Sequence, residues 1–260
     1  MGEHVHLDRN AADRVATIRL DRPKVNAISA DMVADLSDIC DELRDDASVR
    51  AVVITGGRNV FAAGADISEF PSFDGAAAHA FSRRFNRSLL AVEQLPQITI
   101  SAVNGYALGG GLEVALSTDF RMAAEDAKFG VPEIQLGLIP GGGGTQRLAR
   151  VAGVTMAKEM VYTGMHVDAE TALANRIVSS IHDPDTLLDE ALAKAARYAA
   201  GPAALRQAKE AIMEGLHLPL DEAIEVEARK FGEAFETEDC TTGVQSFLEN
   251  GPGKATFTGR

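Results

Sequence analysis

The chain has 260 residues, of which 46% are hydrophobic and 24% charged, and 25 lysines and arginines against 38 aspartates and glutamates give a net charge of −13. This composition is typical of a globular protein and excludes intrinsically disordered, collagen-like and coiled-coil chains. A surface this acidic repels polyanions, so a nucleic-acid-binding function is disfavoured.

Four short segments with apolar or alternating side chains predict buried or half-buried strands: residues 15–20, 51–55, 98–103 and 120–123. Helical patterns lie between them. Ser29 is predicted to cap a helix that ends near Arg44, and Asp74 a longer helix that ends near Leu95. Strands that alternate with helices indicate an α/β fold with a largely parallel sheet.

The last third of the chain changes character. One short strand is predicted over residues 177–180, and the rest has helical periodicity, with Pro202 and Pro219 marking the starts of new helices. We therefore predict an α/β core over residues 1–195 and a C-terminal helical lobe over residues 196–260. No flexible linker separates them, so the lobe is expected to pack on the core or on a neighbouring subunit.

The cysteine content and the N-terminal sequence indicate where the protein works. Cys40 and Cys240 are too few for a disulfide framework or a cysteine metal site and indicate reduced thiols. The first ten residues lack the apolar stretch of a secretory signal, and we expect His4 and His6 to lie in a mobile N-terminal tail. No apolar run of about 18 residues is present, so we expect a cytoplasmic protein without membrane partners.

Several common catalytic motifs are missing from the sequence. The chain contains neither the G-x-G-x-x-G pattern of dinucleotide sites nor the phosphate-binding P-loop pattern. The G-x-S-x-G and H-E-x-x-H patterns are absent too, and the six histidines are scattered. These absences disfavour a metal enzyme and a Ser-His-Asp hydrolase.

Glycine is concentrated in the middle of the chain, where ten of the 24 glycines lie between Gly105 and Gly144. Two glycine-containing loops, residues 61–67 and 103–113, each follow a strand pattern, and the second opens a helix. Glycines let a ligand oxygen approach the backbone, and helix N-termini present unpaired N–H groups. Two such loops could form an oxyanion hole, although tight packing of helix on sheet explains each loop equally well.

Two glutamates lie among apolar neighbours next to these loops. Glu113 follows the second loop, and Glu133 stands between Pro132 and Ile134. A buried carboxyl group has a raised pKa unless it is paired, which suits a pair of carboxyls to acid–base catalysis near neutral pH. The alternative is two ordinary, partly exposed glutamates. A third glycine segment, residues 138–147, opens another helix and either holds an anion or only turns the chain.

Together these segments resemble the enoyl-CoA hydratase/isomerase (crotonase) family. The resemblance covers nearly the whole chain through five ordered segments: residues 20–27, 61–67, 103–113, 129–134 and 137–148. Residues 257–260 also resemble the C-terminal tail of the family. The resemblance implies an α/β fold with a crotonase-like ββα spiral core and a C-terminal helical oligomerisation lobe. The motifs are closest to those of the short-chain hydratases of fatty-acid β-oxidation.

The resemblance also implies roles for five residues. The thioester oxygen of the substrate is expected between two backbone amides, those of Ala65 and Gly110. Glu113 and Glu133 are expected to hold the catalytic water, with Glu113 as the base and Glu133 as the acid that protonates Cα. The amide of Gly141 matches one that helps to hold this water.

Contacts to the adenine and pantetheine parts of coenzyme A are implied for eight residues: Lys24, Val25, Ala27, Ala63, Gly64, Asp66, Ile67 and Ser68. Ser68 departs from the family pattern, which often has lysine at this position, and this weakens any phosphate contact there. Coenzyme A is part of the acyl-CoA substrate, so no separate cofactor and no metal are expected.

Because both glutamates are present, the resemblance favours reversible syn-addition of water to a trans-2-enoyl-CoA, which gives a 3-hydroxyacyl-CoA. The alternative is isomerisation of a 3-enoyl-CoA to a 2-enoyl-CoA, or another acyl-CoA reaction of the family. Some family members bind nucleic acid, which the net charge of −13 disfavours, and an inactive scaffold is disfavoured by the intact glutamates and loops.

A homo-oligomer is implied, either a trimer or a hexamer built as a dimer of trimers. The acidic segment 221–239 fits a solvated surface equally well, and acyl chain length and pathway stay open.

Overall fold

Two β-sheets and ten α-helices make up residues 2–260, the part of the chain that the computed structural model describes. The strands are β1 Val5–Asn10, β2 Val15–Leu20, β3 Ala51–Thr55, β4 Val60–Ala63, β5 Ile98–Val103, β6 Tyr106–Leu108, β7 Phe120–Ala124, β8 Lys128–Gly130, β9 His166–Asp168 and β10 Ser180–His182. The helices are α1 Ala30–Arg44, α2 Gly75–Glu93, α3 Gly110–Leu116, α4 Gly144–Ala152, α5 Val154–Thr163, α6 Ala169–Ala174, α7 Leu187–Ala199, α8 Ala204–Gly215, α9 Leu220–Phe235 and α10 Glu238–Asn250. Two 3₁₀ helices span Ile67–Ser72 and Pro132–Leu136.

The strands form a repeated strand–strand–helix unit. The larger sheet has the order β1-β2-β3-β5-β7-β10, in which only the β1–β2 pair is antiparallel, and the smaller sheet has the order β4-β6-β8-β9. The chain passes three times from the larger sheet to the smaller one, through β3–β4, β5–β6 and β7–β8. Because β4, β6 and β8 are parallel, their carboxyl ends meet at one edge, where parallel sheets present their binding loops.

Sequence and structure agree on the strands at residues 15–20, 51–55 and 98–103. The two helix caps are also confirmed: Ser29 Oγ accepts a hydrogen bond from the amide of Met32 at 3.3 Å, and an Asp74 carboxyl oxygen accepts one from the amide of Ala77 at 2.8 Å. Helix α2 ends at Glu93, two residues earlier than expected. Each cap satisfies an N–H that the first helical turn leaves unpaired, which is why caps are readable locally.

Two expectations about local structure were wrong. Residues 5–10 are not a mobile tail: Val5 and Leu7 are buried, and the segment pairs with β2 as strand β1. The strand expected over residues 177–180 begins only at Ser180, because the amide of Ile177 donates to the carbonyl of Ala172 at 2.8 Å and so closes the end of α6. Both errors arise because the partner that each segment bonds to lies outside the short pattern used for the prediction.

The C-terminal helices α8, α9 and α10 follow Pro202 and lie outside the sheets. The expected division between residues 195 and 196 falls within α7, which continues to Ala199 and buries both Ala195 and Ala199 in the core. Within residues 2–260, no helix has the length and apolar character needed to cross a membrane.

Asp239 in α10 ties the C-terminal tail to the rest of the molecule. It is 2% exposed, and its two oxygens accept hydrogen bonds from the amides of Ala203, Thr258 and Gly259 at 2.8–2.9 Å. Burial acts to raise the pKa of Asp239, but these amides outweigh burial and hold the pKa below its ordinary value. The tail is also held by Arg14, which donates to the carbonyl of Thr258 at 2.7 Å.

We predict that Asp239→Asn lowers the free energy of unfolding by about 2–3 kcal/mol at pH 7, because an amide group cannot accept from N–H donors on both sides. The depressed pKa means that the stabilising effect of Asp239 is present above about pH 4 and is lost as the pH falls through the folded-state pKa. Urea unfolding at pH 7 and at pH 3 tests both parts. The exposed neighbour Glu238→Gln is the control, and equal unfolding midpoints for the two variants at pH 7 would contradict the prediction.

Candidate active site

Two unpaired backbone amides lie at the carboxyl ends of the neighbouring strands β4 and β6. Ala65 follows Gly64, whose φ is +89°, and Gly110 follows Gly109, whose φ is +49°, so both turns need the left-handed conformations that glycine tolerates. A Cβ atom built on Gly110 would lie 3.5 Å from the amide nitrogen of Ala65. Across residues 2–260, neither of these two N–H groups donates a hydrogen bond. The structure therefore brings together the two amides expected to form an oxyanion hole.

Glu113 lies in the first turn of α3 and is 1% exposed. Its Oε1 accepts hydrogen bonds from the amides of Gly142 and Gly144 at 2.8 and 2.7 Å. Cβ atoms built on these two glycines would lie within 2.6–2.9 Å of the carboxyl oxygens, so only glycine leaves room for the carboxyl group. The third glycine segment therefore holds a glutamate, a use that the sequence did not reveal.

Glu133 approaches the same region from the 3₁₀ helix that follows β8. Its Oε1 would lie 2.7 Å from a Cβ built on Gly109, next to the expected oxyanion hole. Its Oε2 is buried and has no hydrogen-bond partner within the described chain. Burial raises the pKa of Glu133 above its ordinary value.

The two carboxyls differ in their surroundings. Burial raises the pKa of Glu113 to about 7, and the charge of Glu133 acts in the same direction. The amides of Gly144 and Gly142 and the charge of Arg147 act to lower it. One carboxyl is thus clamped by amide donors and the other has an unpaired oxygen. That difference suits a base and an acid working as a pair near neutral pH.

The raised pKa of Glu113 makes it a destabilising group once it ionises. The folded protein binds its proton more tightly than the unfolded chain does, so stability falls as the pH rises from about 4.5 through 7. We predict that Glu113→Gln raises the free energy of unfolding by roughly 3 kcal/mol at pH 8, because glutamine carries no buried charge and its carbonyl still accepts from Gly142 and Gly144. This gain is expected to vanish near pH 4.5, as Glu113 becomes protonated in both the folded and the unfolded state. Thermal unfolding at both pH values measures this. The exposed Glu159→Gln is the control, and a lower melting temperature for Glu113→Gln at pH 8 would refute the prediction.

The amide nitrogen of Gly141 is also unpaired within residues 2–260, whereas its carbonyl is held by two side chains of α2. Ser82 Oγ donates to this carbonyl at 2.6 Å and Asn86 Nδ2 at 2.7 Å. Neither side chain was singled out from the sequence. Their spacing of four residues on one helix face was the available signal, but nothing in it revealed the partner loop.

The eight residues expected to contact coenzyme A lie in two adjacent segments, residues 24–27 and 63–68. Backbone hydrogen bonds join the segments: the amide of Ala63 donates to Val25 at 3.0 Å, and the amide of Ile28 donates to Gly64 at 2.9 Å. Lys24, Val25, Ile67 and Ser68 are exposed, and Ala27, Ala63, Gly64 and Asp66 are half-buried.

Asp66 and Ser68 have a structural role as well. Asp66 caps the 3₁₀ helix Ile67–Ser72 by accepting from the amide and hydroxyl of Ser68 at 3.1 and 2.7 Å, and it forms an ion pair with Arg22. The Ser68 bonds and the Arg22 pair hold the pKa of Asp66 below its ordinary value. Within the described residues, no group of three or more His, Cys, Asp or Glu side chains is placed to hold a metal ion.

A row of phenylalanines leads away from this region. A Cβ built on Gly110 would lie 3.2 Å from the Phe85 ring, and one built on Gly142 would lie 2.5 Å from it, so this ring borders both loops. Phe81, Phe73 and Phe70 continue the row, with centroid separations of 6.2, 5.6 and 5.7 Å between successive rings. The row therefore forms an apolar strip whose first ring, Phe85, borders the loops of Gly110 and Gly142.

Comparisons with known proteins identify the family of the chain. The sequence profile described as enoyl-CoA hydratase/isomerase matches residues 10–260. The short-chain-enoyl-CoA hydratase of Clostridium acetobutylicum is 38% identical over 239 residues, which cover 91% of this chain and 92% of that protein. The crotonyl-CoA hydratase of Syntrophomonas wolfei is 38% identical over 250 residues, 95% of each chain.

Solved structures show the same fold. The enoyl-CoA hydratase of Bacillus anthracis superposes with a TM-score of 0.93 at 35% identity, over 99% of this chain and 100% of that one. An enoyl-CoA hydratase of Geobacillus kaustophilus superposes with a TM-score of 0.95 at 30% identity, over 100% of this chain and 98% of that one. The crotonase-like α/β fold with C-terminal helices, expected from the sequence, is confirmed.

Proposed function

The chain belongs to the enoyl-CoA hydratase/isomerase family, and from this premise we propose that it adds water reversibly to a trans-2-enoyl-CoA to give a 3-hydroxyacyl-CoA. That it is an enzyme follows from its family profile and from relatives named as hydratases that align over more than nine-tenths of it. The observation that carries the proposed reaction is the pair Glu113 and Glu133. Their charges act on each other, and one carboxyl is held by two amides whereas the other has an unpaired oxygen.

In the proposed mechanism the thioester oxygen accepts hydrogen bonds from the amides of Ala65 and Gly110. When water adds to Cβ, negative charge builds on that oxygen as an enolate. Both donors are fixed by glycine turns before the reaction, so they need no reorganisation as the charge develops. Donors of this kind lower the barrier by about 3–4 kcal/mol each.

Water addition needs one proton removed and another delivered on the same face of the double bond. Glu113 takes a proton from the water as its oxygen bonds to Cβ, and the amide of Gly141 helps to hold that water. Glu133 then donates its own proton to Cα, which collapses the enolate to the saturated thioester. After the addition Glu113 carries the proton taken from water and Glu133 is ionised. A proton must pass from Glu113 to Glu133 before the next turnover. The same steps in reverse dehydrate the product.

Coenzyme A is proposed to bind along residues 24–27 and 63–68, as part of the substrate and with no further cofactor. The exposed apolar side chains of Val25 and Ile67 suit the pantetheine arm, and Lys24 supplies a cation for an anionic ligand on an acidic protein. The phenylalanine row that begins at Phe85 is proposed as the wall along the acyl chain. Relatives named short-chain-enoyl-CoA hydratase and crotonyl-CoA hydratase support a preference for short chains. We place the reaction in fatty-acid β-oxidation.

A homo-oligomer, a trimer or a dimer of trimers, is proposed from the surface of the C-terminal helices. Nine large apolar side chains there are exposed, more than isolated surface residues account for: Ile212, Leu216, Leu220, Ile224, Phe231, Phe235, Val244, Phe247 and Leu248. Light scattering coupled to size-exclusion chromatography gives the mass directly, and a monomer at micromolar concentration would refute this part.

The function is tested by feeding the purified protein crotonyl-CoA and following the loss of enoyl absorbance, with 3-hydroxybutyryl-CoA identified as the product. A panel of longer trans-2-enoyl-CoAs then measures the chain-length preference, which we expect to fall beyond short chains. A 3-enoyl-CoA is supplied separately. Conversion of the 3-enoyl substrate without hydration of the 2-enoyl one would replace the proposal with double-bond isomerisation.

A further inference from the structure

The loop Gly141–Gly144 is held in place from helix α2. The carbonyl of Gly141 accepts hydrogen bonds from Ser82 Oγ and Asn86 Nδ2 at 2.6 and 2.7 Å. The next atom of the same peptide unit is the amide nitrogen of Gly142, which donates to Glu113 at 2.8 Å. Because a peptide unit is planar and rigid, holding its carbonyl also sets the direction of its N–H. Ser82 and Asn86 therefore act on Glu113 through a single peptide plane.

We call Ser82 and Asn86, the two side chains that hold the Gly141 carbonyl, the clamp, and other hydrogen bonds fix its position. Asn86 Nδ2 also donates to the backbone carbonyl of Ser82 at 2.9 Å, which locks the amide group against its own helix. About two turns further along the same helix face, Glu93 accepts a hydrogen bond from Arg147 Nε at 2.6 Å, and Arg147 in turn donates to the carbonyl of Gly142 at 2.6 Å. Successive loop carbonyls are thus fastened to one stripe of α2.

We propose that Ser82 and Asn86 are positioning residues, which hold the Gly141–Gly144 loop so that its amides keep the carboxyl group of Glu113 oriented and ionisable for catalysis. The effect on catalysis rests on the proposed function, whereas the effect on the position of Glu113 rests only on the hydrogen bonds of Ser82, Asn86 and Gly142. Helix α2, whose Phe81 and Phe85 belong to the proposed acyl wall, thereby has a second role in supporting the acid–base chemistry.

The consequence follows from the groups that face Glu113. Burial and the charge of Glu133 act to raise its pKa, whereas the amides of Gly144 and Gly142 and the charge of Arg147 act to lower it. If Ser82 and Asn86 no longer hold the Gly141 carbonyl, the Gly142 N–H loses its alignment with Glu113. The pKa of Glu113 then rises further, because burial and the charge of Glu133 are less strongly opposed. The base is then less ionised at neutral pH.

The test compares the Ser82→Ala/Asn86→Ala double variant with wild type by ¹³C NMR titration of carboxyl-labelled glutamate, with Glu113→Gln used to assign the signal. We expect the midpoint of Glu113, about 7 in the wild type, to rise by about one unit. The acid limb of the kcat/KM profile for crotonyl-CoA moves with the Glu113 midpoint. Because the ionised fraction of Glu113 at pH 7 then falls from about a half to about a tenth, activity falls about fivefold at pH 7 and recovers at higher pH. Ser82→Thr keeps the hydroxyl donor and, with Asn86 intact, retains the wild-type midpoint.

Ser88 offers a matched control on the same helix. Its hydroxyl is buried and, among the described residues, has no hydrogen-bond partner, so Ser88→Ala removes a buried oxygen without touching the loop. A uniform loss of activity with an unmoved Glu113 midpoint overturns the inference, as does an equal shift in Ser88→Ala. If the wild type hydrates no enoyl-CoA and the midpoint still shifts in the double variant, the proposed function fails and the clamp stands.

Discussion

Replacing Glu133 by glutamine is expected to lower kcat for crotonyl-CoA hydration by roughly 10²–10⁴-fold, the usual contribution of a positioned general acid. Glutamine has nearly the shape of glutamate, but it cannot deliver a proton to Cα. Glu133 suits this role because burial raises its pKa and its Oε2 is unpaired in the structure of residues 2–260. Stopped-flow measurement of enoyl absorbance gives kcat, and calorimetric titration with the 3-hydroxybutyryl-CoA product shows whether binding survives.

The Glu113→Gln/Glu133→Gln double variant sharpens this test. Because the two carboxyls work on one water molecule, the double variant is expected to lose little more activity than either single variant. Glu159→Gln, an exposed charge change on α5, is the control and retains full turnover. Near wild-type kcat for Glu133→Gln would remove this residue from the mechanism.

Gly110→Pro is expected to lower kcat by about 10²–10³-fold or more, because proline lacks the N–H that is proposed to stabilise the enolate oxygen. Gly110 is the first residue of α3, where the N–H has no partner within the helix and proline fits. The preceding Gly109, at φ +49° and ψ −124°, lies outside the right-handed helical region that a following proline disfavours. We therefore expect the variant to fold, with a far-ultraviolet circular dichroism spectrum like that of the wild type.

Gly110→Ala separates the lost amide from simple crowding. Alanine keeps the N–H and places a Cβ 3.2 Å from the Phe85 ring, so it reproduces most of the steric change. We expect Gly110→Ala to retain substantially more activity than Gly110→Pro. Equal losses in the two variants would mean that crowding against Phe85, and not the amide, limits catalysis.

Much of this fold is encoded in short segments of sequence. The alternating residues of β2, the apolar run of β3 and the caps Ser29 and Asp74 form the structures expected of them. The caps bond within three residues, and the strand patterns record which side chains are buried, so both can be read from short segments. The glycine loops before Ala65 and Gly110 were also readable, since positive φ angles restrict those turns to glycine.

The remaining features depend on how neighbouring elements pair and pack. Strand β1 exists because Val5 and Leu7 pair with β2 and enter the core, and β10 starts late because the amide of Ile177 bonds to α6. Such pairings are chosen by packing and topology, which a local pattern does not contain.

The sequence alone determined which residue types were available for chemistry: two glutamates in apolar surroundings and three glycine loops. Only the tertiary structure decided how they differ. Glu113 is clamped by amides 29 and 31 residues away, and that loop is held in turn by α2, 55 and 59 residues before it. The environment of a buried carboxyl is the sum of its burial, its donors and its neighbouring charges. All three are set by segments that meet only when the chain folds.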